Sequence, residues 1–449
     1  MADIRQKVFI VTLGCDKNTV DSDHMAGNLL GSGFELTRDP SEAAVIIVNT
    51  CCFIEDAKKE SIETIFDFLP YRTQGDCRCF IVAGCMAERY ARELEDELPE
   101  VDYFVGVGHI PDLSEIVGGK PADKIDVGLD AHEKIQAAET PRYMEQGQKT
   151  AYLKISDGCD HHCTYCVIPK IRGRHVSRKP QAILEEARAL RQSGVEELIL
   201  VAQDLTQYGS DLAEDINLAG LLTQLAEAMD FHWIRLLYLY PEGIDEELLQ
   251  VIADHPSICH YFDIPIQHTE SSILKRMGRC IDKAQIYDKV KLIRDNLPDA
   301  VLRTTVITGF PGETEEDFTN MLASLEELRF DRLGAFAYSR EEGTPAHGYP
   351  DQVDEDVKAQ RVKRLYDQQQ PITGEGNGDL VGQVLEVIID EAGVDGVCVG
   401  RTRSDAPEVD CSVIIERPDL ERGRFYLVRI VDAIDFDLIG EVVESEFTE

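Results

Sequence analysis

Basic side chains are scarce. The 449-residue chain holds 45 Lys and Arg against 84 Asp and Glu, a formal charge of −39 at pH 7. Nucleic-acid binders ordinarily carry a cationic face, because neutralising phosphates supplies much of their affinity. This chain lacks that surplus, which argues against a nucleic-acid substrate. A field this acidic steers basic partners instead, raising encounter rates by about 10- to 1000-fold at low salt. A generally acidic, soluble surface or a salt-adapted one explains the same charge without any partner. Long hydrophobic runs are also missing, none approaching the roughly 18 residues of a membrane span. The N-terminal MADIRQKVFIVTLGC offers only a short apolar run ending in glycine, with no cleavage site, so the expected location is the reducing cytoplasm. An odd count of 13 cysteines fits that compartment better than a disulfide framework. The hydrophobic content of 43% can fill several cores, and the length implies about three domains.

What the chain does have is cysteine in telling places. Cys159, Cys163 and Cys166, within YLKISDGCDHHCTYCVIPKIRGR, stand at C-x3-C-x2-C spacing directly after a short apolar run. Thiolates so spaced bind metal, and a four-iron cluster takes four cysteines for a full cage. Three leave one iron open to a small molecule, an arrangement suited to catalysis. The competing assignment is a Cys3His zinc site completed by His161 or His162; against it, both histidines lie inside the tight Cys159–Cys163 loop. A second set is spread through the first quarter of the chain. Cys15, Cys51 and Cys85 follow the apolar runs KVFIVTLG, AVIIVNT and CFIVAG, each succeeded by a helical pattern. In an open parallel sheet the strand C-termini line one ligand-binding edge, so the three sulfurs are placed to converge. Taken singly, each reads as a small buried hydrophobe. Cys52 is an awkward neighbour able to compete with Cys51, while Cys77 and Cys79 alternate at a strand start and pack or face solvent.

Residues 7–118 read as strand–helix repeats on a parallel sheet. Residues 119–144 lose periodicity and read as a linker, with a short helix over HEKIQAAE. Residues 145–375 alternate helices with YLKISDG, ELILVAQD, IRLLYLY, YFDIPIQH, LRTTVITGF and RLGAFAYS, the strands of an open or partial β/α barrel. Chemistry in such barrels gathers at the strand C-termini. Residues 376–445 carry short alternating strands between turn signals and read as a five-stranded β-barrel. The expected fold class is therefore α/β: an N-terminal open parallel sheet, a central partial β/α barrel and a small C-terminal β-barrel.

GCDHHCTYC resembles the cluster motif of radical S-adenosylmethionine enzymes, and nearly the whole chain is similar to the methylthiotransferases of that superfamily. Within them it resembles the RimO type, which acts on an aspartate of small-subunit ribosomal protein S-twelve. LGCDKNTVDSDHMAGNLL and NTCCFIEDAKKESIETI match the family's first two loops, with Asp16 where proline is more usual and Cys52 where a small residue is. IQHTES, containing His268, and YSREEGTPA match the ribosomal-protein type, where members acting on transfer RNA tend to read LQSGS. The last module resembles a TRAM domain, and its GRTRSDAPEVD fits the ribosomal-protein version, although Cys411 stands where glycine is more usual.

The resemblance implies two 4Fe-4S clusters, one on Cys159, Cys163 and Cys166 and one on Cys15, Cys51 and Cys85, with no catalytic side chain beyond these ligands. It implies S-adenosylmethionine as both radical source and methyl donor. The first cluster cleaves it to methionine and a 5′-deoxyadenosyl radical, which takes hydrogen from an unactivated carbon. The second holds sulfur, methylated by another S-adenosylmethionine, and the carbon radical collects it to give a methylthio group on the aspartyl β-carbon. The protein supplies orientation and exclusion of water. An electron donor and a sulfur donor are implied as well. Tyr165 takes the position that in the superfamily lies by the adenine. Gln203, Gln267 and Arg303 are candidates for gripping S-adenosylmethionine, Arg303 through two hydrogen bonds to its carboxylate. Asn49 is placed to support Cys51, and Asp21 to cap the first helix. Gly309 and Gly312 either admit a ligand's close approach or simply make a turn. TRAM domains are generally RNA-binding, but residues 377–449 hold about three acidic groups for each basic one, a poor surface for phosphate. A basic ribosomal protein is the better partner, with Arg401 and Arg403 still open to RNA beside it. The rival readings are a tRNA adenosine methylthiotransferase, which would share all six cysteines, and a non-catalytic iron–sulfur binding protein.

Overall fold

The computed structural model describes residues 6–118, 123–129, 142–213, 216–394 and 396–443; the helix expected over HEKIQAAE lies outside them. The N-terminal domain is a six-stranded parallel sheet: β1 (Lys7–Thr12), β2 (Glu35–Leu36), β3 (Val45–Thr50), β4 (Cys79–Gly84), β5 (Tyr103–Val105) and β6 (Ile125–Asp126), in the order β2-β1-β3-β4-β5-β6. β3 reads VIIVNT and is buried along its whole length, as a central parallel strand covered on both faces must be. Helices α1 (Asp16–Gly31), α2 (Glu55–Thr73) and α3 (Cys85–Glu97) follow β1, β3 and β4. The sheet runs further than its first 118 residues suggest: β6 lies in the stretch expected to be linker and pairs with β5.

The central domain holds six strands of a parallel barrel in two hydrogen-bonded groups. One group is β7 (Thr150–Lys154), β10 (Glu197–Val201) and β11 (Trp233–Leu236) in the order β11-β10-β7; between β7 and β10, β8 (Ser156–Asp157) and β9 (Val176–Ser177) form a small antiparallel pair. The other is β12 (Tyr261–Gln267), β13 (Val301–Thr308) and β14 (Arg332–Ala337) in sequence order. On β10 the side chains alternate in role. Leu198 and Leu200 join the core formed with the surrounding helices, whereas Ile199 and Val201 point inward and meet Ile388 and Ala406 of the C-terminal module.

That module is a closed barrel of β15 (Val384–Val394), β16 (Val397–Thr402), β17 (Val413–Ile415), β18 (Phe425–Ile434) and β19 (Asp437–Val442). It docks against the N-terminal half of the central strands. Glu197, at the start of β10, is fully buried between Arg235 and Arg401, and Arg403 donates to the Pro256 and Ile258 carbonyls. Both arginines that the sequence left open to RNA therefore hold the two domains together. The N-terminal domain sits at the opposite end, where α1 packs on β7 and the barrel strands finish.

Candidate metal centres

Each cysteine trio is assembled by close backbone approach. Gly14 has φ +93°, and a Cβ built there would lie 2.6 Å from Cys51 Cβ. Only glycine lets the Cys15 and Cys51 loops meet this closely. Gly158, at φ +74°, leaves no room for a Cβ either, which would fall 1.9 Å from the Arg174 carbonyl oxygen. Polar side chains then knit the N-terminal loops together. Asn18 Nδ2 donates to the Leu13 and Thr50 carbonyls, Asn49 Nδ2 to the Asn18 carbonyl and Ser22 Oγ, and Ser61 both accepts from and donates to the Cys51 backbone. Asn49 thus braces the Cys15 loop against the Cys51 loop.

The sulfurs of each trio feel one another electrostatically. Cys85 is influenced by Cys51, Cys52 and Cys15, and Cys166 by Cys163 and Cys159. Burial pushes the thiols of Cys51 and Cys166 up, Cys85 well up and Cys159 up to about 12. Thiols raised in this way ionise when a metal takes them. Among the described residues, the one group of three metal-binding side chains whose ligand atoms all lie within 4.8 Å of each other is His109, Asp112 and Asp126. Both cysteine trios are therefore spread wider than a single tetrahedral zinc, whose bonds of about 2.3 Å bring sulfurs about 3.8 Å apart. A cluster places each ligand on a separate iron and so does not need the sulfurs that close together. His161 is engaged elsewhere, its Nε2 lying 2.7 Å from both Asp204 Oδ2 and Gln207 Nε2. Cys52 turns away into the core: it is fully buried, its Sγ lies 3.1 Å from the Cys85 carbonyl, and burial raises its thiol to about 12.

Two arginines escaped the sequence reading. Arg172, six residues beyond Cys166, crosses from the barrel into the N-terminal domain. It bonds Asp157 at 3.1 and 3.2 Å, Asn18 Oδ1 at 2.7 Å and Asp21 Oδ2 at 2.9 Å, and comes within 3.7 Å of Cys85 Sγ. Lys154 closes the same buried network onto Asp21 and Asp157. Asp21 is therefore an ion-pair partner inside α1 rather than a cap; Cys15 occupies the N-cap position. Arg279 lies beside the other trio, with its Cζ 4.1 Å from the Tyr240 ring centroid, and Tyr240 stacks on His161. Its Nη2 reaches the Pro265 carbonyl, while Nε and Nη1 are buried with no hydrogen-bond partner. Glu242 Oε2 stands 4.0 Å from Nη2, so Nε and Nη1 remain open, and buried guanidinium donors left open are costly.

Tyr165 is packed next to Arg279 and Tyr240, and burial drives its phenol well up. Gln203 donates from Nε2 to Asp157, with Oε1 buried and unpartnered. Gln267 ends β12 at φ +70°, where the pairing register slips. Arg303 is committed to Asp263 at 2.8 Å and Asp410 at 3.2 Å, so its fork faces the C-terminal module. Gly309 and Phe310 direct their amides to Glu313, itself paired with Arg361; the glycines make a turn around an internal carboxylate. His268 is fully buried, accepts from the Glu270 amide and is held neutral, burial lowering its pKa to about 3.

A partial parallel barrel with a three-cysteine loop at its first strand end is the framework of a radical S-adenosylmethionine enzyme. Residues 153–325 match the radical SAM superfamily, residues 7–106 the uncharacterized protein family UPF0004, and residues 381–443 the TRAM domain. The chain is 48% identical to the ribosomal protein uS12 methylthiotransferase RimO of Clostridioides difficile, with 97% of this chain and 99% of that protein covered. It is 44% identical to the RimO of Geobacter sulfurreducens over 99% of this chain and 100% of that one. The chain belongs to the RimO methylthiotransferase family and is an enzyme. In fold it is similar to the radical S-adenosylmethionine methyltransferase TsrM from Kitasatospora setae, with a TM-score of 0.57 at 16% identity, 76% of this chain and 77% of that one being covered. No described helix is long and apolar enough to cross a membrane.

Proposed function

We propose that this enzyme methylthiolates the β-carbon of an aspartyl residue in ribosomal protein uS12, in the cytoplasm, with one cluster on Cys159, Cys163 and Cys166 and another on Cys15, Cys51 and Cys85. The observation that carries this reading is the pair of cysteine trios joined through buried Arg172, in a chain similar over nearly its full length to uS12 methylthiotransferases. When bound, the clusters and S-adenosylmethionine supply the radical, the sulfur and the methyl group. The chain's own residues position them. Arg279 offers two open donors to the carboxylate of S-adenosylmethionine, Tyr165 an aromatic face to its adenine, and Gln203 and Gln267 polar contacts at the strand ends. Arg303, engaged by two carboxylates, serves instead to seat the C-terminal module. Arg172 and Lys154, with Asp21 and Asp157, hold the two sites in register. The acidic surface favours a basic protein substrate over transfer RNA, and the burial of Arg401 against Glu197 supports the same choice.

The test is anaerobic reconstitution with reductant, sulfide and S-adenosylmethionine, offering purified uS12 and transfer RNA in parallel. A gain of about 46 daltons on a uS12 aspartate, H replaced by SCH3, is expected. A gain confined to transfer RNA would overturn the substrate assignment.

A further inference from the structure

Beside the N-terminal trio lies an ion pair that the fold leaves half-satisfied. Lys17, two residues after Cys15, is buried at 6% exposure, with its ammonium 3.0 Å from the Tyr238 ring centroid. Tyr238 follows β11, at the end of the barrel where the three-cysteine loop also lies, and its hydroxyl donates to Asp16 Oδ1. Tyr238 takes φ +65°, a conformation rare for a bulky residue, and its amide is held by Asp263 Oδ2 at 3.1 Å. The ring is thus fixed under the lysine. An ammonium has three donors, and among the described residues Asp16 Oδ1, at 3.2 Å, is its hydrogen-bond partner. Asp16 Oδ2 is buried with no hydrogen-bond partner among the described residues. Cys15 beside them is exposed.

We propose that Lys17 binds the carboxylate of the substrate aspartyl side chain and selects aspartate over its amide. This rests on the uS12 reading above. With one N–H on Asp16 and one over the Tyr238 ring, the third N–H of Lys17 is left to bond a carboxylate oxygen, and the open Asp16 Oδ2 accepts a substrate backbone N–H, so the pair together recognises an aspartyl residue in a chain. The contact sits next to the first cysteine of the N-terminal trio and on the barrel end that carries the other, which is where the reacting carbon must lie. A simple structural ion pair would have closed on itself; here both partners keep open positions.

The experiment measures binding of full-length uS12, and of uS12 carrying asparagine at the modified position, to the reconstituted enzyme, alongside kcat/KM for methylthio transfer. Wild type is expected to favour the aspartate form by about 10- to 100-fold, the worth of a hydrogen bond to a charged group. Lys17→Gln should weaken binding of the aspartate form by that factor and bring the ratio close to one, while Lys17→Arg keeps most of the preference. Equal binding of the two forms by wild type would overturn the inference without any variant, as would an unchanged ratio in Lys17→Gln. If wild type binds neither form and modifies neither, the uS12 reading itself fails, and that outcome is distinct from loss of discrimination alone.

Discussion

Arg172 Nη2 stands 3.7 Å from Cys85 Sγ, although the two residues belong to different domains and lie 87 positions apart. The same guanidinium bonds Asp157, just before the Gly158-Cys159 step. One buried cation therefore couples the geometry of both cysteine trios. Breaking a buried pair by removing one partner costs about 3–5 kcal/mol, so Arg172→Met should lower unfolding stability by about that much in urea titrations. Methylthio transfer should fall further than S-adenosylmethionine cleavage, because the change loosens the spacing between the sites.

Arg279 and Arg303 separate cofactor binding from domain seating. Arg279→Met should weaken S-adenosylmethionine binding by about 10- to 100-fold, the loss of charge-assisted hydrogen bonds. Arg303→Met should leave that affinity near wild type and reduce stability by about 3 kcal/mol, since Asp263 and Asp410 lose their shared partner. Equilibrium binding and denaturant titration of the two variants side by side check both halves.

Gly158→Ala places a Cβ against the Arg174 carbonyl oxygen and forces an unfavourable φ. The reconstituted variant should hold roughly half the wild-type iron, one cluster being lost. Production of 5′-deoxyadenosine should disappear with it.

His24 and His268 give the fold an acid-sensitive component. Burial lowers their pKa values to about 4 and about 3, below the unfolded value of about 6.5. Between those limits the unfolded chain binds protons that the folded one refuses. Stability should therefore be level above pH 6.5 and fall as pH drops, by up to about 1.4 kcal/mol per pH unit for each histidine. Urea midpoints at pH 7 and pH 5 read the effect, and His268→Gln should flatten the slope.

The three architectures were legible because strand, helix and turn signals recur in a readable order, whereas grouping Cys15, Cys51 and Cys85 leaned on the family resemblance more than on the pattern. What lay across domains was not legible. Arg172 looks in sequence like one more basic residue after the cluster loop, and its partners Asn18 and Asp21 are about 150 positions away. Arg279, in LKRMGRC, has the appearance of a helix-surface charge; the signal available was its place shortly after the Gln267 strand end. The helix Glu355–Asp379 escaped notice because it contains Pro371 and three glycines, and because its buried stripe is largely polar: Lys358, Arg361, Gln369, Thr373 and Asn377. Hydrophobic periodicity cannot find a face that is held by hydrogen bonds. Arg401 is hidden from a sequence reading for the related reason that burial of a paired charge leaves no mark in composition; Arg403 does stay exposed while bonding across the domains.

In the proposed reaction the two trios have separate tasks. Measuring 5′-deoxyadenosine and methylthiolated uS12 together, in wild type and in the Cys15→Ala/Cys51→Ala/Cys85→Ala triple variant, tests this most directly. The variant is expected still to form 5′-deoxyadenosine from S-adenosylmethionine but to transfer no methylthio group; methylthiolated uS12 from the variant would refute the division of tasks.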